Sequence, residues 1–153
     1  MLFTIAVGWA QSNPPESGMS AFGKMVPMGF VNRDVTIPAF SDGKRSSLVT
    51  AETLTRIDEE HLNAEKVVVE IYADQPAENI RVELKSAVYD MPDQILRSGE
   101  RSKVSRMDFE MEGDTMVFDA RTSVGSMKGR VRTLIFDTTV LSGTSGKNQP
   151  IQN

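Results

Sequence analysis

The chain has 153 residues, 39% hydrophobic and 25% charged, with 11 Gly and 7 Pro, which bounds it to one globular domain and excludes collagen-like, low-complexity and wholly disordered chains. Lys+Arg 17 against Asp+Glu 21 gives a net charge of -4, so nucleic acid is not an expected partner, because that binding needs a basic excess. No Cys and one His, His61, exclude disulfide staples, thiolate nucleophiles and Cys/His zinc sites, and remove the commonest general base.

Residues 2–10, LFTIAVGWA, form an apolar run shorter than the ~20 residues of a spanning helix. Small Gly8 and Ala10 suit a cut after Ala10, so 1–10 has the anatomy of a signal peptide without its basic lead, or of a truncated anchor. An ordinary first strand is the other reading. Pro14-Pro15 marks 11–24 as a linker, 25–140 as the folded domain and 141–153, polar and Gly-containing, as a flexible tail.

Pro27 and Pro38 exclude long helices over 22–40, since proline lacks the amide donor and clashes with the preceding turn. Ser41-Asp42-Gly43-Lys44 signals a turn. Residues 48–66 are ambiguous: Leu54, Ile57, His61 and Ala64 fall near helical spacing, yet the segment is rich in Thr and β-branched residues.

From Val67 the period is two. Val67, Val69 and Ile71 share one face; Ile80, Val82 and Leu84 alternate with Arg81, Glu83 and Lys85, after a turn beginning at Ala73-Asp74-Gln75-Pro76. Met107, Phe109 and Met111 alternate with Asp108, Glu110 and Glu112. Gly113-Asp114 is expected to turn the chain into TMVFD (115–119), and Gly125 to Gly129 to separate that strand from RVRTLIF (130–136). An antiparallel meander follows, with one face on the core and one in water.

Three stretches share a strand, an apolar residue followed by Asp, a turn and a return strand, around Ile57-Asp58, Tyr89-Asp90 and Phe118-Asp119. The Asp residues stand 32 and 29 residues apart. Stacked hairpins explain this spacing, because one hairpin cannot bury its own apolar face; turn statistics in any meander of six to eight strands explain it as well.

No phosphate loop, HExxH or G-x-S-x-G occurs, and Ser41 to Lys44 matches S-x-x-K without its companions, so no enzyme activity is expected. The carboxylates of Asp58, Glu59 and Glu60, and of Asp108, Glu110 and Glu112, read as solvated, and His61 as a surface residue. Two basic clusters, Arg97, Arg101, Lys103 and Arg106, then Lys128, Arg130 and Arg132, fit either phosphates or an acidic partner, or serve as ordinary strand-face charges.

The segment IPAFSDGKRSSLVTAETLTRIDEEHLNAEKVVVEIY (37–72) and the run from Val82 to Phe136, above all Ile37-Pro38-Ala39-Phe40, Asp42-Gly43 and D-F-x-M-x-G-D-x-M-x-F-D from Asp108 to Asp119, resemble the OstA-like periplasmic proteins of lipopolysaccharide transport. The LptC type is nearest and the LptA type second. The resemblance implies an all-β fold, an antiparallel β-jellyroll or β-taco of stacked hairpins with an open apolar groove for acyl chains, and strands over 48–72. It implies a periplasmic protein, tethered to the inner membrane in the LptC type. The partners implied are lipopolysaccharide or a related acylated lipid, other OstA-like proteins joined by edge-strand pairing, and the inner-membrane ABC transporter complex; no cofactor is implied.

The expected groove lining is the inward set Val67, Val69, Ile71, Ile80, Val82, Leu84, Phe109, Met111, Met116, Phe118, Val131 and Ile135. Nine Met residues suit variable acyl shapes. The rival reading is a secreted β-sandwich with a closed core that binds protein or glycan. A continuous apolar slot between the sheets separates the two.

Overall fold

The computed structural model describes residues 18–136. A helix, α1 (Gly18–Met25), precedes ten antiparallel strands: β1 (Val31–Ser41), β2 (Lys44–Arg56), β3 (His61–Ile71), β4 (Ile80–Asp90), β5 (Ile95–Ser98), β6 (Ser102–Arg106), β7 (Phe109–Gly113), β8 (Thr115–Asp119), β9 (Val124–Lys128) and β10 (Arg132–Ile135). All ten belong to one sheet that does not close into a barrel. The ambiguous segment 48–66 is two strands joined at 57–60.

The short strands are collinear halves of long ones. Along β4, the C-terminal half pairs with β5 and the N-terminal half with β6; β8 and β7 continue outward from these, followed by β9 and β10. The molecule is therefore a meander of seven long strands. Each loses its ladder at one shared line: the pairing skips Asp34 and Glu52 between β1 and β2, Lys66 and Lys85 between β3 and β4, then 99–101, Asp114 and 129–131.

This line is a crease that divides the sheet into two flaps. Buried positions step by two on either side of it and by three across it, from Ala51 to Leu54, Ala64 to Val67, Leu84 to Ala87 and Gly113 to Met116. From β1 to β4 the register is the same on both sides of the line, so the unpaired residues stand opposite one another and adjacent strands change face together; an extra residue, a β-bulge, enters only at 99–101 and 129–131. Asp34, Lys66, Gly129 and Arg130 take positive φ there. Charged side chains occupy the crease because its outer side faces water: Lys66 pairs with Glu52, and Asp114 accepts hydrogen bonds from Arg101 and Arg130.

Two expectations are corrected by this geometry. Gly113-Asp114 is a break in the ladder of a continuing strand, not a reversal; the chain reverses at Met107-Asp108, a two-residue loop that leaves Met107 exposed rather than in a strand. Gly125 to Gly129 falls in β9 and its end, and the reversal before it lies at 120–123. Both errors share a cause, since Gly and Asp suit a turn and a break in a ladder equally.

The expected linker 11–24 is also corrected from Gly18 onward. Met19, Ser20 and Gly23 of α1 are buried against the sheet, where the Ser20 hydroxyl meets the Tyr89 hydroxyl at 3.0 Å and donates to the Met91 carbonyl at 3.1 Å. The helix stops at Met25, ahead of Pro27, as proline requires. Pro38 lies in β1, an edge strand, where a missing donor is tolerated. The expectations for 1–10 and 141–153 lie outside the described residues. No helix among the described residues is long and apolar enough to cross a membrane.

Candidate functional site

The two flaps face each other across the crease, and on one side they do not mesh. A cleft of about 640 Å³ opens there. One wall is the flap built from Ile37 to Ser41 of β1, Ser46, Ser47 and Val49 of β2, and Val69 and Ile71 of β3. The opposite wall is Tyr89, Leu96 and Phe118 with the turn residues Gln94, Ala120, Arg121 and Ser123. Gly18 and Met19 of α1 complete the lining.

Register explains why these side chains share the gap. Ile37, Val49 and Val69 are directly paired neighbours across three strands, and so point to one face. Tyr89, Leu96 and Phe118 form the same kind of rung on the other flap. The type I′ geometry of Asp42-Gly43, with φ of 50° and 74°, closes the β1–β2 hairpin at the cleft's open end.

Depth grades from buried to exposed. Val69, Tyr89, Leu96 and Phe118 are buried, Ser46, Ser47 and Val49 half-buried, and Phe40, Ser41, Arg121 and Ser123 exposed. Ser41, Arg121 and Ser123 thus stand at the mouth, and the interior is apolar apart from the buried Gln94. A volume of ~300–1,000 Å³ with apolar walls and a few convergent polar groups is the ordinary form of a small-ligand site.

Of the twelve residues expected to line a groove, Val69, Ile71 and Phe118 do so. Val67, Val82, Leu84 and Met116 are buried in the closed part of the core, and Ile80 and Phe109 pack partly against it. Met111 is half-buried on β7. Val131, in the crease, and Ile135, on the edge half-strand β10, are 49% and 51% exposed. Alternation identifies a strand's inner face but not whether another layer covers it. Ile37, Val49, Tyr89 and Leu96 were absent from the expected lining; Ile37 and Tyr89 stand within the motif residues quoted above.

The basic clusters do not line the cleft, and Arg101, Lys103, Arg106 and Arg130 among them face carboxylates. Arg101 pairs with Glu112 and Asp114, Lys103 with Glu110, and Arg106 with Asp108, its guanidinium also 5.0 Å from the Phe109 ring centre. Arg130 binds Asp114 through Nε at 2.8 Å. Arg130 first, and Arg101 second, hold the Asp114 carboxyl below the usual range.

The repeated Asp residues cap their turns. Asp58 accepts the amides of Glu60 and His61, which hold its carboxyl below the ordinary value together with the His61 ring; Asp90 accepts that of Asp93, and Asp119 those of Arg121 and Thr122. The three turns adjoin one another, as His61 pairs in register with Asp90 and Ile95 with Asp119. The 29–32-residue spacing is therefore one of stacked hairpins.

No family model and no curated protein matches the chain. Among solved structures it is similar to LptH, the LptA homologous periplasmic component of the conserved lipopolysaccharide transport device from Pseudomonas aeruginosa. The TM-score is 0.51 at 16% sequence identity, over 69% of this chain and 82% of that chain. The likeness is one of fold, and the fold is the antiparallel β-jellyroll of that LptA-type component, open along its edges and carrying one short helix.

Proposed function

We propose that the protein is a non-enzymatic, OstA-like carrier in the periplasm that shelters the acyl chains of lipopolysaccharide, or of a related acylated lipid, between its flaps. The apolar cleft walled by Ile37, Val49, Val69, Leu96 and Phe118 carries this reading. Each methylene moved from water into such a gap contributes ~0.8 kcal/mol, offset by ordering of the chain. No bond needs to form or break. The fold shared with a lipopolysaccharide-transport component supports the same assignment.

On this reading the unpaired edges, β1 on one side and β9 with β10 on the other, are available to neighbouring OstA-like modules by strand addition. Lipid released by an inner-membrane ABC transporter would pass along the joined clefts. The closed-module rival draws support from Val67, Val82, Leu84 and Met116, which mesh without a gap.

Photocrosslinking separates the two. A benzoylphenylalanine at Val49 is expected to form an adduct with lipopolysaccharide, and one at Val117, on the outer face of β8, is not. Equal labelling at both positions, or none at Val49 in a folded variant, would overturn the carrier reading.

A further inference from the structure

The cleft is chemically one-sided in a way that the net charge does not anticipate. The chain carries an acidic excess, yet no carboxylate lines the cleft, and Arg121 is its single charged lining residue among those described. Arg121 stands at the mouth with the hydroxyls of Ser41 and Ser123, while the buried lining is hydrocarbon except for the Gln94 amide, with Met19 of α1 beside it.

The neighbouring Asp119 takes up part of this charge, in an ion pair that holds its carboxyl below the ordinary value. Asp119 Oδ1 accepts the Arg121 backbone amide at 2.9 Å, so it is committed to the turn, whereas both guanidinium contacts to Asp119 stretch to 3.4 Å. Among the described residues no other carboxylate pairs with Arg121. The contacts to Asp119 use Nε and Nη2, so the Nη1 donors of the planar guanidinium stay open to an oxyanion.

We propose that the cleft takes an anionic amphiphile in one orientation, hydrocarbon inward toward Met19 and Tyr89 and its charged headgroup at the mouth, where Arg121 reads it. This rests on the carrier reading and adds to it the sign and position of the headgroup. The reverse orientation would bury a charge among Val69, Leu96 and Phe118 with no opposite charge in the lining and only the Gln94 amide as a polar side chain beside them, which is disfavoured.

The test uses the full chain and two amphiphiles with the same acyl chain, lysophosphatidic acid and a monoacylglycerol, below their micelle concentrations. Each competes with the neutral fluorophore N-phenyl-1-naphthylamine. The phosphate amphiphile is expected to displace the fluorophore at roughly tenfold lower concentration, a preference that Arg121→Ala removes and Arg121→Lys largely keeps. Equal displacement by both amphiphiles, or a preference that survives Arg121→Ala, overturns the headgroup assignment and leaves the carrier reading standing. Displacement by neither amphiphile overturns both.

Discussion

Asp114 is the residue on which the crease is pinned across the three outer long strands. Its carboxylate receives Arg101 from one neighbour and Arg130 from the other, and its amide donates to the Gly129 carbonyl at 2.9 Å. Gly129 has φ of 75°, and a Cβ there would stand 2.9 Å from Asp114 Oδ2, so this position admits no side chain without strain. Because the folded-state pKa of Asp114 lies below its ordinary 3.8, its contribution to stability is complete above that value. It is lost as pH falls through the folded pKa. Asp114→Asn is therefore expected to lower the urea midpoint at pH 7, and the difference from the wild type should shrink as pH drops below about 4. A gap of constant size from pH 7 to 3 would show that the ion pairs contribute nothing.

At the scale of elements, α1 is attached by one buried polar contact and a close apolar fit. The Ser20 hydroxyl joins Tyr89 and Met91, and a Cβ on Gly23 would come within 2.8 Å of Leu62 Cδ1, so the helix lies directly on the sheet. Ser20→Ala removes the hydrogen bonds to the Tyr89 hydroxyl and the Met91 carbonyl, at a cost of about 1 kcal/mol. Amide exchange should report it as faster exchange in α1 with β3 and β4 unchanged; unaltered protection in α1 would contradict the docking described here. This helix was not legible in the sequence, because Pro14-Pro15 before it and Pro27 after it suggest a linker, and eight residues are too few for a strong 3.6-residue pattern. The strands were more legible. Val67, Val69 and Ile71 alternate cleanly, as do Ile80, Val82 and Leu84, since each run stays on one side of the crease. The helical spacing of Leu54, Ile57, His61 and Ala64 that makes 48–66 ambiguous arises because these residues span the turn between β2 and β3.

For the whole molecule, the relevant dimension is the distance between flaps. Leu54, Leu62, Ala64 and Val67, all 0% exposed, belong to the part where the flaps meet. The cleft begins where the side chains from opposite flaps no longer reach one another. Ala39→Trp adds bulk to the cleft wall, away from the meshed core, and is expected to reduce uptake of N-phenyl-1-naphthylamine by roughly tenfold or more with little change in thermal midpoint. Full uptake by a folded Ala39→Trp variant would place the fluorophore elsewhere. Sequence alternation assigned inner faces correctly for Val69, Ile71 and Phe118 but carried no information on which inner residues meet a partner layer. That depends on how far the sheet bends at the crease, where the strands lose their pairing together.

Every long strand crosses from one flap to the other, so neither flap is a separate body, and both hang from a common spine of charged residues. Cross-strand pairing is absent along that spine and intact on either side of it. A change in the angle between covers accordingly falls on a few torsions at the binding of the book, leaving the lines printed on each page in order; thin and thick inserts differ in how wide the volume stands open.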